Sequence, residues 1–307
     1  MIYTITLNPS LDYMMTIEDF EIGSLNRAND TDFYPGGKGI MVSRMLRVLE
    51  EASTATGFLG GFTGDFIAKK LEKEEINTSF FKVNDASRIN VKVSGKEETE
   101  LNAPGPPISQ TQIDELMSLI KNLTSEDALV LAGSVPSSIP SNFYEEIAKI
   151  CFEKDIRFVV DAEKHLLLPT LKHKPYLIKP NHHELGEIFD TTISTHEDAL
   201  YYGKKLLEMG PQHIIISMGG NGAVFLSEAL QLIGEVPRGE IISTIGSGDS
   251  TVAGFLAAIT KGRSLFEAFG LGLASGTASA FTSGLASNEE IVKMIPYIKI
   301  ESIHQEG

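Results

Sequence analysis

The run ALVLAGSVPSSIPSNFYEEIAKICFEKDIRFVVD, residues 128–161, decides the architecture. It opens and closes on short apolar segments, Ala128 to Ala132 and Arg157 to Asp161, whose length and Val, Leu and Phe content read as buried strands. The stretch between them is long enough for a helix, and a helical crossover sets two strands parallel. Working outward, Tyr3 to Leu7, Tyr176 to Lys179 and His213 to Ser217 read as further buried strands. Helical repeats lie elsewhere along the chain. Val42, Met45, Leu46 and Leu49 recur at i, i+3, i+4 and i+7, as do Ile113, Leu116, Met117 and Ile120, and again Val252, Phe255, Leu256 and Ile259. Such alternation predicts an α/β fold: a doubly wound, mostly parallel sheet with helices on both faces and ligands at the carboxyl ends of its strands.

Two segments break that rhythm. Arg88 to Val93 and Glu97 to Asn102, joined across Ser94-Gly95-Lys96, read as a β-hairpin too small to stand alone. With Asp12 to Ile17 and Asp30 to Tyr34 they predict a small sheet inserted at about 12–34 and 88–102 in a single domain spanning 1–307. Such a sheet serves as a lid over a site, as a homodimer surface, or as both. The Pro-rich stretch 103–107 marks the return to the main domain.

The 26 Lys and Arg against 41 Asp and Glu give a formal charge of −15, which repels nucleic acid and anionic membrane surfaces. A small anionic ligand then needs local compensation, so each Lys or Arg beside a glycine turn counts. The single cysteine, Cys151, rules out an internal disulfide or a cysteine zinc site and reads as a buried hydrophobe. The start MIYTITLNPSLDY is unlike a secretory signal, and no stretch reaches the ~18 apolar residues of a membrane span, so the expectation is a cytoplasmic protein.

Four glycine-rich strings carry the chemistry. In Thr244-Ile-Gly-Ser-Gly-Asp-Ser-Thr-Val-Ala-Gly254 a turn runs into an amphipathic helix. Gly246, Ser247 and Gly248 can offer backbone N–H groups to an anion, while Asp249 accepts a hydroxyl proton beside them. The alternative is a plain helix cap. In Tyr34-Pro-Gly-Gly-Lys-Gly39, Gly37 allows close backbone approach and Lys38 supplies positive charge, or the lysine is only solvated. Lys179-Pro-Asn-His-His-Glu184 sets Asn181 and Glu184 three apart, fitting a phosphate or hydrated Mg²⁺ and fitting a capping box equally. Ser217-Met-Gly-Gly-Asn-Gly222 lets a nucleotide lie over its turn, or forms a plain hairpin. No Gly-Lys precedes Ser or Thr, and neither Gly-x-Gly-x-x-Gly nor Gly-x-Ser-x-Gly occurs. That removes the usual support for Walker-type, dinucleotide and serine-hydrolase readings.

Together with Thr6-Leu-Asn-Pro-Ser-Leu-Asp-Tyr13, Gly60-Gly-Phe-Thr-Gly-Asp65, Arg88-Ile-Asn90 and Ala132-Gly-Ser-Val-Pro136, these strings resemble the ribokinase-like sugar kinases of the phosphofructokinase-B branch over nearly the whole chain. The resemblance implies ATP as donor, Mg²⁺ bridging its phosphates, and Asp249 as base with Gly246, Ser247 and Gly248 as anion hole. It implies Asp12, Gly37, Lys38 and Asn90 on the sugar, Arg27 and Arg88 on its existing phosphate, and Ser134 near it. Lys179, Asn181, Ser217, Gly219 and Gly222 would line the nucleotide side, Ser275 the adenine, and Glu184 would place Mg²⁺ through water. The favoured acceptor is fructose 1-phosphate, whose C6 hydroxyl attacks the γ-phosphoryl group, with tagatose 6-phosphate the nearest rival. Met41 stands where the family pattern carries Asn, which suggests weaker acceptor binding or, as a different class of rival, a non-catalytic sugar-phosphate sensor.

Overall fold

Ala128–Ala132 and Arg157–Asp161 form adjacent parallel strands, in register from Ala128 with Arg157 to Ala132 with Asp161. The helix Phe143–Glu153 crosses between them. The computed structural model describes residues 1–96 and 98–303. Their central sheet has ten strands, in the order Lys299–Ser302, Gln231–Glu235, Ala223–Ser227, His213–Ser217, Leu177–Ile178, Arg157–Asp161, Ala128–Ala132, Ile2–Thr6, Ser53–Gly60 and Asn77–Val83. Every neighbouring pair from Asn77–Val83 to His213–Ser217 is parallel, and the pairs beyond are antiparallel.

Alternation along one strand shows why both faces are covered. Leu129 and Leu131 join the core beneath helices Gln110–Asn122 and Phe143–Glu153, whereas Val130 and Ala132 join the core beneath Lys38–Val48, Ser247–Thr260 and Leu265–Ala280. Each such Leu or Val withdrawn from water stabilises the fold by about 1.5–3 kcal/mol. The first strand, Ile2–Thr6, has Ser53–Gly60 on one side and Ala128–Ala132 on the other, so the chain order reverses there. Such a reversal opens a crevice at the carboxyl ends of the strands.

A second, four-stranded sheet has the order Asp30–Gly36, Ser10–Thr16, Arg88–Ser94, Thr99–Leu101. Pairing of Tyr13 with Phe33 and Val91, and of Val91 with Leu101, puts apolar side chains on one face. Asp12 pairs with Asn90, and Met14 with Lys92, on the opposite face. Phe33, Ile89 and Leu101 are exposed.

Several expectations shift in the structure. The strand expected over Tyr176 to Lys179 shrinks to Leu177–Ile178, because Pro180 and Pro175 have no N–H to give the ladder. Ser53–Gly60 and Asn77–Val83 escape a hydrophobicity reading: the first carries Ser53, Thr54 and Thr56, and the second is a half-exposed edge. The second arm of the hairpin is Thr99–Leu101, and Glu97, which the sequence reading placed in it, lies outside the described residues. Among the described residues no helix is long and apolar enough to cross a membrane.

Candidate active site

The turn before helix Ser247–Thr260 closes on Gly246, whose φ of 77° is left-handed and suits glycine. Gly246 caps the helix without a side-chain hydrogen bond, so the first-turn N–H groups stay available. One expected donor is redirected: Ser247 N–H bonds Thr244 O at 3.3 Å, and its Oγ donates to Gly276 O at 2.9 Å. The N–H groups of Gly246, Gly248 and Asp249 meet no backbone carbonyl among the described residues, so these are the donors left at the helix start.

Helix Leu265–Ala280 holds that helix from behind through a seam of small residues. A Cβ on Gly254 would lie 2.6 Å from Ser275 Oγ, and one on Gly276 would lie 2.2 Å from Thr251 Oγ1. Ser275, expected near an adenine, belongs to this seam: it is fully buried and donates to Leu271 O at 2.8 Å. No face of it is left for a ligand, because packing two helices this closely requires small side chains turned toward each other.

Four charges converge where the strands end. Asp249 is 7% exposed, and burial pushes its carboxyl up to about 7; Lys38 opposes the rise, Asp161 adds to it, and Lys179 and Lys92 oppose it. Lys38 donates to Asp161 Oδ1 at 3.0 Å, and Lys179 Nζ lies 3.4 Å from Asp161 Oδ2. That second oxygen makes no hydrogen bond, so the Lys179 pair is electrostatic only. Asp161 also holds Lys38 firmly protonated. Lys179 reaches the helix start, 2.9 Å from where a Cβ of Gly248 would stand. Asp161 was not singled out by the sequence reading, although its position as a charged residue ending a buried strand is the signal that could have found it.

On the small-sheet side, Asp12 is held by its neighbours. Its Oδ1 accepts from Ser10 Oγ at 2.5 Å and Asn90 Nδ2 at 3.1 Å, and its Oδ2 lies 3.7 Å from Lys92 Nζ. Gly36 makes room, since a Cβ there would meet Asp12 Oδ1 at 2.3 Å. Arg88 spends part of its guanidinium on Asn8 O and Ala103 O, tying the small sheet to the main domain. Gly37, with φ 113°, caps the helix carrying Lys38. Ser134 follows the strand Ala128–Ala132 and receives Asn8 Nδ2 at 3.4 Å. Arg27 stands apart, exposed in the loop between the first two strands of the small sheet. The Met41 methyl packs 2.9 Å from where a Cβ of Gly246 would stand, against the turn that opens helix Ser247–Thr260.

The nucleotide-side residues divide. Asn181 and Glu184 form a reciprocal capping box at 2.8 and 2.7 Å, which occupies Glu184 Oε2. Ser217 bridges to Asn181, bringing the two strings together. Gly219 is exposed with open space around it, as a ligand lying over the turn requires. Gly222 is instead closed off, because a Cβ there would lie 1.9 Å from Gly234 O; close strand approach accounts for that glycine. Among the described residues no cluster of three His, Cys, Asp or Glu could hold a metal unaided. The second oxygen of Glu184 makes no hydrogen bond among the described residues and would meet a cation carried in on phosphates and water, whereas Asp161 Oδ2 already faces Lys179 at 3.4 Å.

Over nearly its whole length the chain is similar to known proteins. The profile of the pfkB family carbohydrate kinases fits residues 5–291. The chain is 47% identical to the 1-phosphofructokinase of Bacillus subtilis over 98% of its length and 99% of that protein. It is 34% identical to the D-tagatose-1-phosphate kinase of Bacillus licheniformis over 98% and 99%. The phosphofructokinase-2 of Escherichia coli, solved with substrates and products, superposes with a TM-score of 0.92 at 26% identity over 96% and 98% of the two chains. With that family profile covering residues 5–291 and a relative 47% identical over nearly the whole chain, the chain belongs to the pfkB family of carbohydrate kinases.

Proposed function

We propose that the protein transfers the γ-phosphoryl group of MgATP to the C6 hydroxyl of fructose 1-phosphate, giving fructose 1,6-bisphosphate and ADP in the cytoplasm. The observation that carries the reading is the placement of Asp249: a buried carboxyl, pushed up to about 7, in the first turn of a helix whose leading amides have no backbone or side-chain cap. Near that value the carboxylate accepts a hydroxyl proton effectively at neutral pH. The C6 proton passes to Asp249 as the oxygen–phosphorus bond forms and the bond to the bridging oxygen of ADP breaks. The Gly246, Gly248 and Asp249 amides, with Lys38 and Lys179, stabilise charge on the transferring group. Asp12, Asn90, Gly37 and Ser134 hold the sugar, Arg88 its 1-phosphate, and Asn181, Ser217, Gly219 and Lys179 the nucleotide. Mg²⁺, held through water by Glu184, would neutralise phosphate charge.

The small sheet closes over the acceptor and excludes water, and its exposed apolar face, with Phe33, Ile89 and Leu101, joins two chains in a homodimer. Light scattering on the wild type and on Phe33→Asp checks this: the wild type runs as a dimer and the variant as a monomer. The chemistry is checked by coupled ADP assays with fructose 1-phosphate, tagatose 1-phosphate, tagatose 6-phosphate and fructose 6-phosphate side by side. Fructose 1-phosphate gives the highest kcat/KM; a higher value for any other would overturn the acceptor assignment. Tagatose 1-phosphate is the specific competitor because the Bacillus licheniformis relative is named for it. It differs from fructose 1-phosphate only in configuration at C4.

A further inference from the structure

Lys92 is a buried lysine of the small sheet that the mechanism above leaves unused. It is 8% exposed and shares with Asp12 and Asn90 the face opposite the apolar one. Its Nζ lies 3.1 Å from Glu100 Oε1 and 3.7 Å from Asp12 Oδ2. The two partners differ: the Glu100 side chain is 41% exposed, and that of Asp12 only 12%. A solvated carboxylate needs little help to stay charged, whereas a buried one needs a counter-charge. Burial raises the Asp12 carboxyl, and Lys92 is the largest influence against that rise, ahead of Ser10, Asn90 and Arg88. With a side chain only 10% exposed on the face that carries Asp12, Lys92 lies away from the exposed apolar face of the small sheet.

We propose that Lys92 is a positioning residue for the acceptor: from the inner face of the small sheet it holds the Asp12 carboxylate in place to receive a sugar hydroxyl. Ser10 and Asn90 fix one carboxylate oxygen, and Lys92 fixes the side of the other. The absent Cβ of Gly36 lets the group sit this deep. Because Lys92 acts through Asp12, its removal weakens the acceptor and spares the nucleotide. The inference rests on the kinase reading, with Asp12 on the acceptor side.

The test is a double-mutant cycle on the full chain, with Lys92→Met, Lys92→Arg, Asp12→Asn and the Asp12→Asn/Lys92→Met pair. Steady-state kinetics use whichever ketohexose phosphate the wild type phosphorylates best, and calorimetry measures fructose 1-phosphate binding without turnover. Lys92→Met raises the acceptor KM and Kd about tenfold and leaves the ATP KM within about twofold. Lys92→Arg restores most of the loss. In the Asp12→Asn background Lys92→Met adds less than about twofold, since the partner it acts through is gone. An acceptor Kd unchanged in Lys92→Met, a parallel rise in both KM values, or additive losses in the pair would each overturn the proposal. A wild type that turns over no ketohexose phosphate would instead overturn the kinase reading, and calorimetry would still decide the role of Lys92. Should Lys92→Met fold poorly, Lys92→Gln gives the same readings with a polar head.

Discussion

Asp249→Asn separates the catalytic cost of a buried carboxylate from its structural cost. The rise from an ordinary 3.8 to about 7 corresponds to roughly 4 kcal/mol, at about 1.4 kcal/mol for each pH unit. Between those values the folded protein holds a proton that the unfolded chain has released, so the wild type loses stability as pH rises from about 4 to about 7. The neutral amide has no such loss. Of the roughly 4 kcal/mol, about 2.5 develops between pH 5 and pH 8. Thermal unfolding therefore shows the variant melting above the wild type at pH 8 by several degrees, with a smaller gap at pH 5. Turnover falls by about 10²-fold or more, because removing a general base costs that much. A Tm gap that does not change with pH would refute the burial argument. Retention of more than about a tenth of wild-type kcat would remove Asp249 from the base role.

The wild-type kcat/KM for the acceptor should show an acid limb near pH 7, far above an ordinary carboxylate, as read from a pH–rate profile. Asp161 helps to raise Asp249, so Asp161→Asn moves that limb to lower pH; it also leaves Lys38 and Lys179 short of their partner, costing on the order of 3 kcal/mol in denaturant titrations. Met41→Asn restores a donor and acceptor beside the cradle and lowers the acceptor KM several-fold, in line with about 0.5–1.5 kcal/mol for one hydrogen bond. Gly254→Ala forces a Cβ to within 2.6 Å of Ser275 Oγ and 2.7 Å of Leu271 O, and lowers stability by about 1–3 kcal/mol in chemical unfolding.

The sequence by itself determined the parallel sheet, because strands buried on both faces must be apolar along their length: Ala128–Ala132 is so throughout, and Arg157–Asp161 between its charged ends. It also determined the glycine turn opening onto Asp249, because local chain geometry settles where a helix starts. Strands whose partners supply the burial were not legible in it: Asn77–Val83 is an edge, and Ser53–Gly60 hides Thr56 against Ser79 O. Nor could it separate two uses of one residue type. Only tertiary contact shows Gly219 standing open while Gly222 is closed under Gly234, and Ser275 turned into a helix seam. Asp161 and Lys92 gain their charged neighbours only when distant strands bring Lys38, Lys179 and Asp12 to them. The physical reason is range: backbone preference and hydrophobic period act over a few neighbours, whereas the burial and charge pairing that tune the Asp249 carboxyl come from residues far apart along the chain.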